Sequence, residues 1–261
     1  MQYIHSTLTD IGIKRPINQD SILALEADTE KGPVLLLSVC DGMGGMEHGE
    51  IASSIMVEEL EDCFSSEFAG IILDDDLPAP LDNMIYYCLR DAMQRADERI
   101  LKFSKEKKLQ CGTTCVVLVL FGGDYYIMNV GDSRIYLHRN GSLFQLTHDQ
   151  SLVQRLLDNG EIDEQIAKNH KQRGVLLQCI GMGKDFIPEF KAGKVLDRDI
   201  FFLCSDGLVH KIEPGEFESI LTEEDPKSSA ELKDLSSYLV EECKKRNESD
   251  NISVIMARAF L

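Results

Sequence analysis

Apolar runs of strand length in this chain repeatedly meet an aspartate at one end. Val34–Cys40 runs into Asp41-Gly42-Met43-Gly44-Gly45, Tyr126–Val130 into Gly131-Asp132-Ser133-Arg134, and Ile200–Cys204 into Ser205-Asp206-Gly207. Asn18-Gln19-Asp20 precedes Ser21–Leu25, and Ser249-Asp250-Asn251 stands at the mouth of Ile252–Met256. A single Asp-Gly at a strand end is a turn and nothing more. Five such carboxylates constrain the fold further, because strands stacked in a sandwich can bring their ends to one edge.

The remaining elements agree with stacked sheets. Further strands are expected at Cys115–Phe121 and Arg134–His138, and Asn140-Gly141 is a type I′ hairpin signal leading into Ser142–Leu146. Ile85, Leu89, Ala92, Ala96 and Ile100 share one helical face, as do Leu232, Leu235, Leu239 and Cys243; Glu50–Phe64 and Ser151–Leu157 are also expected to be helical. Asp74-Asp75-Asp76-Leu77-Pro78-Ala79-Pro80 reads as a surface loop between helices. Strands come in runs rather than in strict β-α-β alternation, which favours an α+β fold of antiparallel sheets with helices packed outside. No linker or repeat divides the 261 residues, so one domain spanning 1–261 is expected.

Composition excludes several classes of function. The formal charge of −18 argues against nucleic acid, whose phosphates need clustered Lys and Arg. No apolar run approaches the ~20 residues that span a bilayer, and Met1-Gln2-Tyr3-Ile4-His5-Ser6-Thr7 lacks the regions of a signal peptide, so a cytoplasmic protein is expected. The eight cysteines include no C-x-x-C pair and read as small buried hydrophobes in a reducing compartment. The chain has no P-loop and no G-x-S-x-G elbow, and the dinucleotide spacing fails at Glu47. No stretch stands out as an interface, and a monomer is expected.

Carboxylates gathered at one edge repel one another unless cations neutralise them. All-oxygen ligation selects Mg²⁺ or Mn²⁺ over zinc or copper, and Gly42 leaves its carbonyl free to add a ligand. A carboxylate-bridged pair of such ions activates water for in-line attack on phosphorus. Arg15, five residues before Asp20, suits an anionic phosphoryl group.

Six segments, in order, carry a resemblance. They are Arg15-Pro16-Ile17-Asn18-Gln19-Asp20, Val39-Cys40-Asp41-Gly42-Met43-Gly44-Gly45, Gly112-Thr113-Thr114, Gly131-Asp132-Ser133-Arg134, Leu203-Cys204-Ser205-Asp206-Gly207-Leu208 and Ser249-Asp250-Asn251-Ile252-Ser253. From about residue 10 to 257 the sequence resembles the metal-dependent Ser/Thr protein phosphatases of the type 2C class. The bacterial single-domain branch, with Met at the place of Met43, is the nearest likeness. The resemblance implies two packed antiparallel β-sheets flanked by pairs of antiparallel helices, an α-β-β-α sandwich. It implies that Asp41 bridges two Mn²⁺ or Mg²⁺ ions, that the Gly42 carbonyl helps bind the second, and that Asp206 and Asp250 complete the shell of the first. Asp20 would act from the outer shell, Arg15 would hold the substrate phosphate, and Asn251 would position its neighbours. Asp132 matches a ligand of a third, weaker ion, and 149–180 looks like the mobile flap of that branch.

One departure bears on the third ion. In Asp206-Gly207-Leu208-Val209-His210 the family usually has Asp where His210 stands. An imidazole in that place removes a negative charge, so a weaker third site is expected, with His210 as its ligand or as a rim residue. The function implied is hydrolysis of phosphoserine and phosphothreonine on proteins, opposing a bacterial Ser/Thr kinase. The alternatives are a stress-response regulator's phosphoserine as substrate, or a catalytically inactive scaffold that binds phosphoproteins.

Overall fold

A computed structural model describes every residue except 44–47, 75 and 184, so Gly44, Gly45 and Glu47 of the glycine turn and Asp75 of the acidic loop lie outside the described residues. The chain opens with β1 (Gln2–Asp10), β2 (Asp20–Thr29) and β3 (Gly32–Asp41). Next comes α1 (Gly49–Cys63), which passes through a π-helical turn (Phe64–Phe68) into α2 (Ala69–Leu73) and is followed by α3 (Leu81–Lys107). β4 (Cys115–Phe121), β5 (Asp124–Val130), β6 (Arg134–Arg139) and β7 (Ser142–Gln145) lead to α4 (Leu152–Asp158) and α5 (Glu164–Lys168). β8 (Glu189–Lys194), β9 (Ile200–Cys204), α6 (Asp206–Val209), α7 (Pro214–Glu224), α8 (Ser229–Lys245) and β10 (Ile252–Phe260) complete it.

The described strands form two antiparallel five-stranded sheets, ordered β1-β10-β9-β6-β7 and β2-β3-β4-β5-β8. Alternation along each central strand builds three apolar layers. Leu35, Leu37 and Val39 of β3 meet Leu203 of β9 and Ile255 of β10 between the sheets. Leu36 and Cys40 of the same strand turn the other way, onto Met56 and Leu60 of α1 and Leu89 and Ala92 of α3. On the opposite sheet Phe202 and Val254 face Phe217 and Leu221 of α7 and Leu232 and Leu239 of α8. The expected α-β-β-α sandwich is the fold observed. At the hairpin after β6, Asn140 and Gly141 take φ of 52° and 77°, the two positive values a type I′ turn requires.

Two strands were not expected from the sequence, and both are edges. β1 pairs only with β10 and β8 only with β5. Each leaves most of its side chains partly exposed. The sequence there is accordingly mixed, and the period-2 signal fades. α1 begins and ends within a residue of expectation, but the π turn and α2 extend the helical run past Phe64.

Glu59 of α1 ties the outer helix pair together. Its carboxylate accepts from Arg95 Nε at 2.9 Å and Arg99 Nη1 at 2.8 Å, both on α3. Burial alone would raise this carboxyl, yet the two guanidinium groups outweigh it and hold the group below the usual glutamate range. A depressed folded-state pKa contributes stability that is present above the unfolded value and lost as pH falls through the folded one. Glu59→Gln is therefore expected to lower unfolding free energy at pH 7 by about 1–2 kcal/mol. The deficit should shrink in urea titrations run at about pH 3.5. An equal deficit at both pH values would show that packing, not charge, accounts for it.

Candidate metal centre

The register of the two sheets brings the strand-end aspartates together. Asp20 at the start of β2 lies directly opposite Asp41 at the end of β3. Cys204, the last residue of β9, is paired on one side with Arg134 of β6 and on the other with Val254 of β10. Asp206 follows Cys204 by two residues, Asp132 precedes β6 by two, and Asp250 precedes β10 by two. Arg15, Asp41, Asp132, Asp206 and Asp250 all line one cleft of about 440 Å³.

Asp41 and Asp20 are held by neighbours from other elements. Asp41 is gripped through its backbone: its N–H donates to Thr114 Oγ1 at 3.0 Å, and its carbonyl accepts from the Thr114 N–H at 2.9 Å and the Thr113 hydroxyl at 3.0 Å. This gives Gly112-Thr113-Thr114 a mechanical role. Asp20 Oδ2 accepts from the hydroxyls of Ser205 at 2.9 Å and Ser253 at 2.6 Å. Asn251 donates to the carbonyls of Ile11 and Ile17 and accepts from the Gln19 N–H, so it folds the 11–19 loop against the mouth of β10, as a positioning residue should. Two glycines are required by close approach. A Cβ at Gly42 would stand 2.3 Å from the Gly49 carbonyl oxygen, and one at Gly207 would stand 2.0 Å from that of Asn251.

The electrostatics are those of anions crowded out of water. Asp20 is lifted to about 7 by burial first and then by Asp206 and Asp250, against its two serine donors. Asp132 rises to about 8, again through burial and then Asp206 and Asp149. Asp41 stands well above the usual carboxylate range through burial and four neighbouring aspartates, Asp20 first among them. Asp206 is raised by burial, Asp250 and Glu248, although His210 and a hydrogen bond with Asp41 counter the shift. Asp20 Oδ1 and Asp206 Oδ1 are buried and have no hydrogen-bond partner among the described residues. Hard oxygen donors with unspent lone pairs, mutually repelling, are a donor set for a divalent cation such as Mg²⁺ or Mn²⁺.

Arg15 and His210 have partners that spacing alone did not reveal. Arg15 Nε donates to Asp250 Oδ1 at 2.9 Å and Nη2 to Oδ2 at 2.7 Å, a bidentate fork on an expected ligand. His210 Nε2 is 3.4 Å from Asp206, and Nδ1 is 3.7 Å from Glu248, an ion-pair separation too long for a hydrogen bond. Burial lowers the His210 pKa, but Asp206 and Glu248 outweigh it and the net direction is upward.

Glu248 is the residue the sequence reading missed. Its Oε1 accepts from the backbone N–H of Ser249 at 2.7 Å and Asp250 at 2.9 Å, which shapes the turn that presents Asp250. Burial would raise it, but His210 and those two N–H groups bring it down to about 2. The signal was present as an acid two places before Asp250, between the turn residues Asn247 and Ser249. Arg134 and Asp149 form a second unforeseen pair beside the cleft, with Arg134 Nη2 donating to Asp149 Oδ2 at 2.7 Å.

Residues 14–247 match the family model of protein phosphatase 2C. The chain belongs to the protein phosphatase 2C family. As a member it is an enzyme of the metal-dependent phosphatase class, as the six segments implied. It is similar to a serine/threonine phosphatase of Listeria welshimeri, 33% identical over 256 residues that cover 97% of this chain and 94% of the relative. The crystal structure of the Mycobacterium tuberculosis serine/threonine phosphatase PstP/Ppp matches with a TM-score of 0.81 at 28% identity, covering 99% of both chains. The catalytic domain of PstP, solved in complex with two manganese ions, matches with a TM-score of 0.77 at 27% identity over 99% of both chains.

For this protein phosphatase 2C member, repulsion at the cleft carries a consequence in the absence of metal. Asp41→Asn removes one of the crowded carboxyl groups, so with chelator present at pH 7 its thermal midpoint should exceed that of wild type by about 3 °C or more. Millimolar Mn²⁺ should raise the wild-type midpoint and leave the variant nearly unmoved. A variant less stable than wild type in chelator would show that Asp41 is held by favourable contacts instead.

Proposed function

We propose that the chain hydrolyses phosphoserine and phosphothreonine on proteins, using two Mn²⁺ or Mg²⁺ ions held by Asp41, the Gly42 carbonyl, Asp206 and Asp250. The observation that carries this reading is the convergence of buried, mutually repelling aspartates and one arginine on a single cleft. When bound, the ions polarise phosphoryl oxygens and lower the pKa of water, the two effects phosphate-ester hydrolysis needs most.

The chain's own residues supply placement. Arg15 offers a planar fork that matches two phosphoryl oxygens as it matches the Asp250 carboxylate. Asp20, held by Ser205 and Ser253, keeps Oδ1 free of those hydroxyls and able to accept from water in the outer shell. Met43 lines the cleft without a titratable group, so a leaving alkoxide must take its proton from water. Asp132 and His210 flank the cleft on the side of Asp206 and are the candidates for a third, weaker ion. With His210 drawn toward Glu248, His210→Asp should tighten Mn²⁺ at that third site in calorimetric titrations. Identical isotherms would assign His210 to the rim.

The chain acts as a single domain spanning 1–261, in which 149–180 works as a flap: Val175, Leu176 and Leu177 of that segment form one wall of the cleft. Its substrates are phosphorylated proteins, and the reaction that supplies them is that of a Ser/Thr kinase, here placed in the same bacterial cytoplasm. No helix among the described residues is long and apolar enough to cross a membrane. The acting unit in this reading is a monomer.

Phosphate release from a phosphothreonine peptide tests the reading. Turnover should require Mn²⁺, stop with EDTA, and fall at least tenfold in Asp206→Asn, equivalent to about 1.4 kcal/mol of lost transition-state stabilisation. Peptide binding with Mn²⁺ present and no turnover would instead identify an inactive phosphoprotein-binding scaffold.

A further inference from the structure

We propose that Cys63 and Cys88 are a reversible dithiol–disulfide pair that staples α1 to α3 outside the catalytic cleft. Cys63 is the last residue of α1 and Cys88 lies in the third turn of α3. Their sulfurs are 2.8 Å apart, inside ordinary non-bonded sulfur contact and about 0.8 Å beyond a covalent S–S bond. Neither residue lines the cleft.

The surroundings single out this pair. The π-helical turn Phe64–Phe68 starts directly after Cys63 and brings Glu67 Oε2 to 4.0 Å from the Cys88 sulfur. π turns interrupt helices mostly where function requires it. Cys63, Glu67 and Cys88 together have the outline of a metal site among the described residues. Two features argue against a metal. Thiolates on a tetrahedral zinc, at bonds of about 2.3 Å, sit roughly 3.8 Å apart, well beyond the separation here. Glu67 is also already engaged by Arg95, at 3.1 and 3.2 Å, and that cation opposes another beside it. Cys63 is fully buried and Cys88 is 5% exposed; Cys40, Cys111, Cys115, Cys204 and Cys243 are fully buried as well, so it is the sulfur–sulfur contact and not burial that sets this pair apart. The contact with Cys88 and burial push the Cys63 thiol up.

The oxidant is a small-molecule disulfide such as oxidised glutathione. The Cys88 sulfur, beside the exposed Glu67, attacks one sulfur of that disulfide, whose S–S bond breaks and whose other half leaves as a thiol. The Cys63 sulfur then attacks the Cys88 sulfur of the mixed disulfide; the new S–S bond forms and the second glutathione departs. Both cysteine protons end on the released thiols, the protein is oxidised by two electrons and the glutathione is reduced by two. The product closes a loop between residues 25 apart, across the π turn and α2.

The experiment holds the full chain in glutathione buffers of stepped ratio, both natively and by refolding from urea so that access to the sulfurs does not limit the outcome. Free thiols are then alkylated and counted by intact mass, and peptides are mapped. The expected result is loss of two of the eight thiols by a Cys63–Cys88 link, recovery with dithiothreitol, and a thermal midpoint about 4 °C or more above the reduced protein. Cys63→Ser and Cys88→Ser should each keep their seven thiols and show no shift, with Mn²⁺-dependent activity retained. Eight free thiols after refolding in oxidised glutathione would overturn the proposal. So would a link between other cysteines, or thiol protection released by a chelator instead of a reductant.

Discussion

Repulsion among buried carboxylates at one end of the sandwich is the constraint to which the rest of this molecule answers. Burial and four neighbouring aspartates all push the Asp41 carboxyl up, and crowding of this kind costs folding free energy. Nothing in the local sequence pays that cost. It is offset by the three apolar layers behind the site, where the central strands are buried on both faces. The aspartates sit on the terminal residues of strands or within two residues of them, where the backbone is fixed by the ladders. A cluster on free loops would move apart; here it is held in place until cations relieve it.

The holding devices are short and come from distant parts of the chain. Thr113 and Thr114 grip Asp41 across 72 and 73 residues of sequence. Ser205 and Ser253 reach Asp20 from the other sheet, across 185 and 233. These contacts explain why small hydroxyl residues and glycines surround each aspartate: a larger side chain at Gly42 or Gly207 would collide with a backbone carbonyl of the neighbouring element. The six segments are therefore six faces of one construction, which is why their order along the chain was informative when no single segment was.

The parts legible in the sequence were those whose environment is uniform along an element. β3, β4 and β9 lie between two layers, so their residues are almost all apolar and the strand announces itself. α3 keeps one buried face over most of its 27 residues, and the 3.6 period follows. β1 and β8 lie at sheet edges with partly solvated faces, and residues such as His5, Thr7 and Lys191 erase the alternation. At the site, the residue types at strand ends pointed to the aspartates and Arg15. What pairs with what was not legible, because the Arg15–Asp250 fork joins positions 235 apart and Glu248, in the turn before β10, faces His210 just after α6. Nor does any pattern in Cys63 to Phe68 mark a π turn.

The Arg15–Asp250 fork joins the two halves of the chemistry. Asp250 is at once an expected ligand and the group that now occupies both faces of the guanidinium fork, with Oδ1 and Oδ2 each accepting from it. A cation drawing on the Asp250 oxygens competes with Arg15 for the same lone pairs, and each unit of charge it withdraws weakens the grip on the guanidinium. On the proposed reading, a phosphoryl group would present Arg15 with an equivalent pair of oxygens, and the arginine would exchange one anion for another. If Asp250 holds a cation and Arg15 a phosphate as proposed, filling the metal centre and opening the anion site would be linked through this ion pair, and such linkage runs both ways: whatever drew Arg15 off Asp250 would also favour the cation.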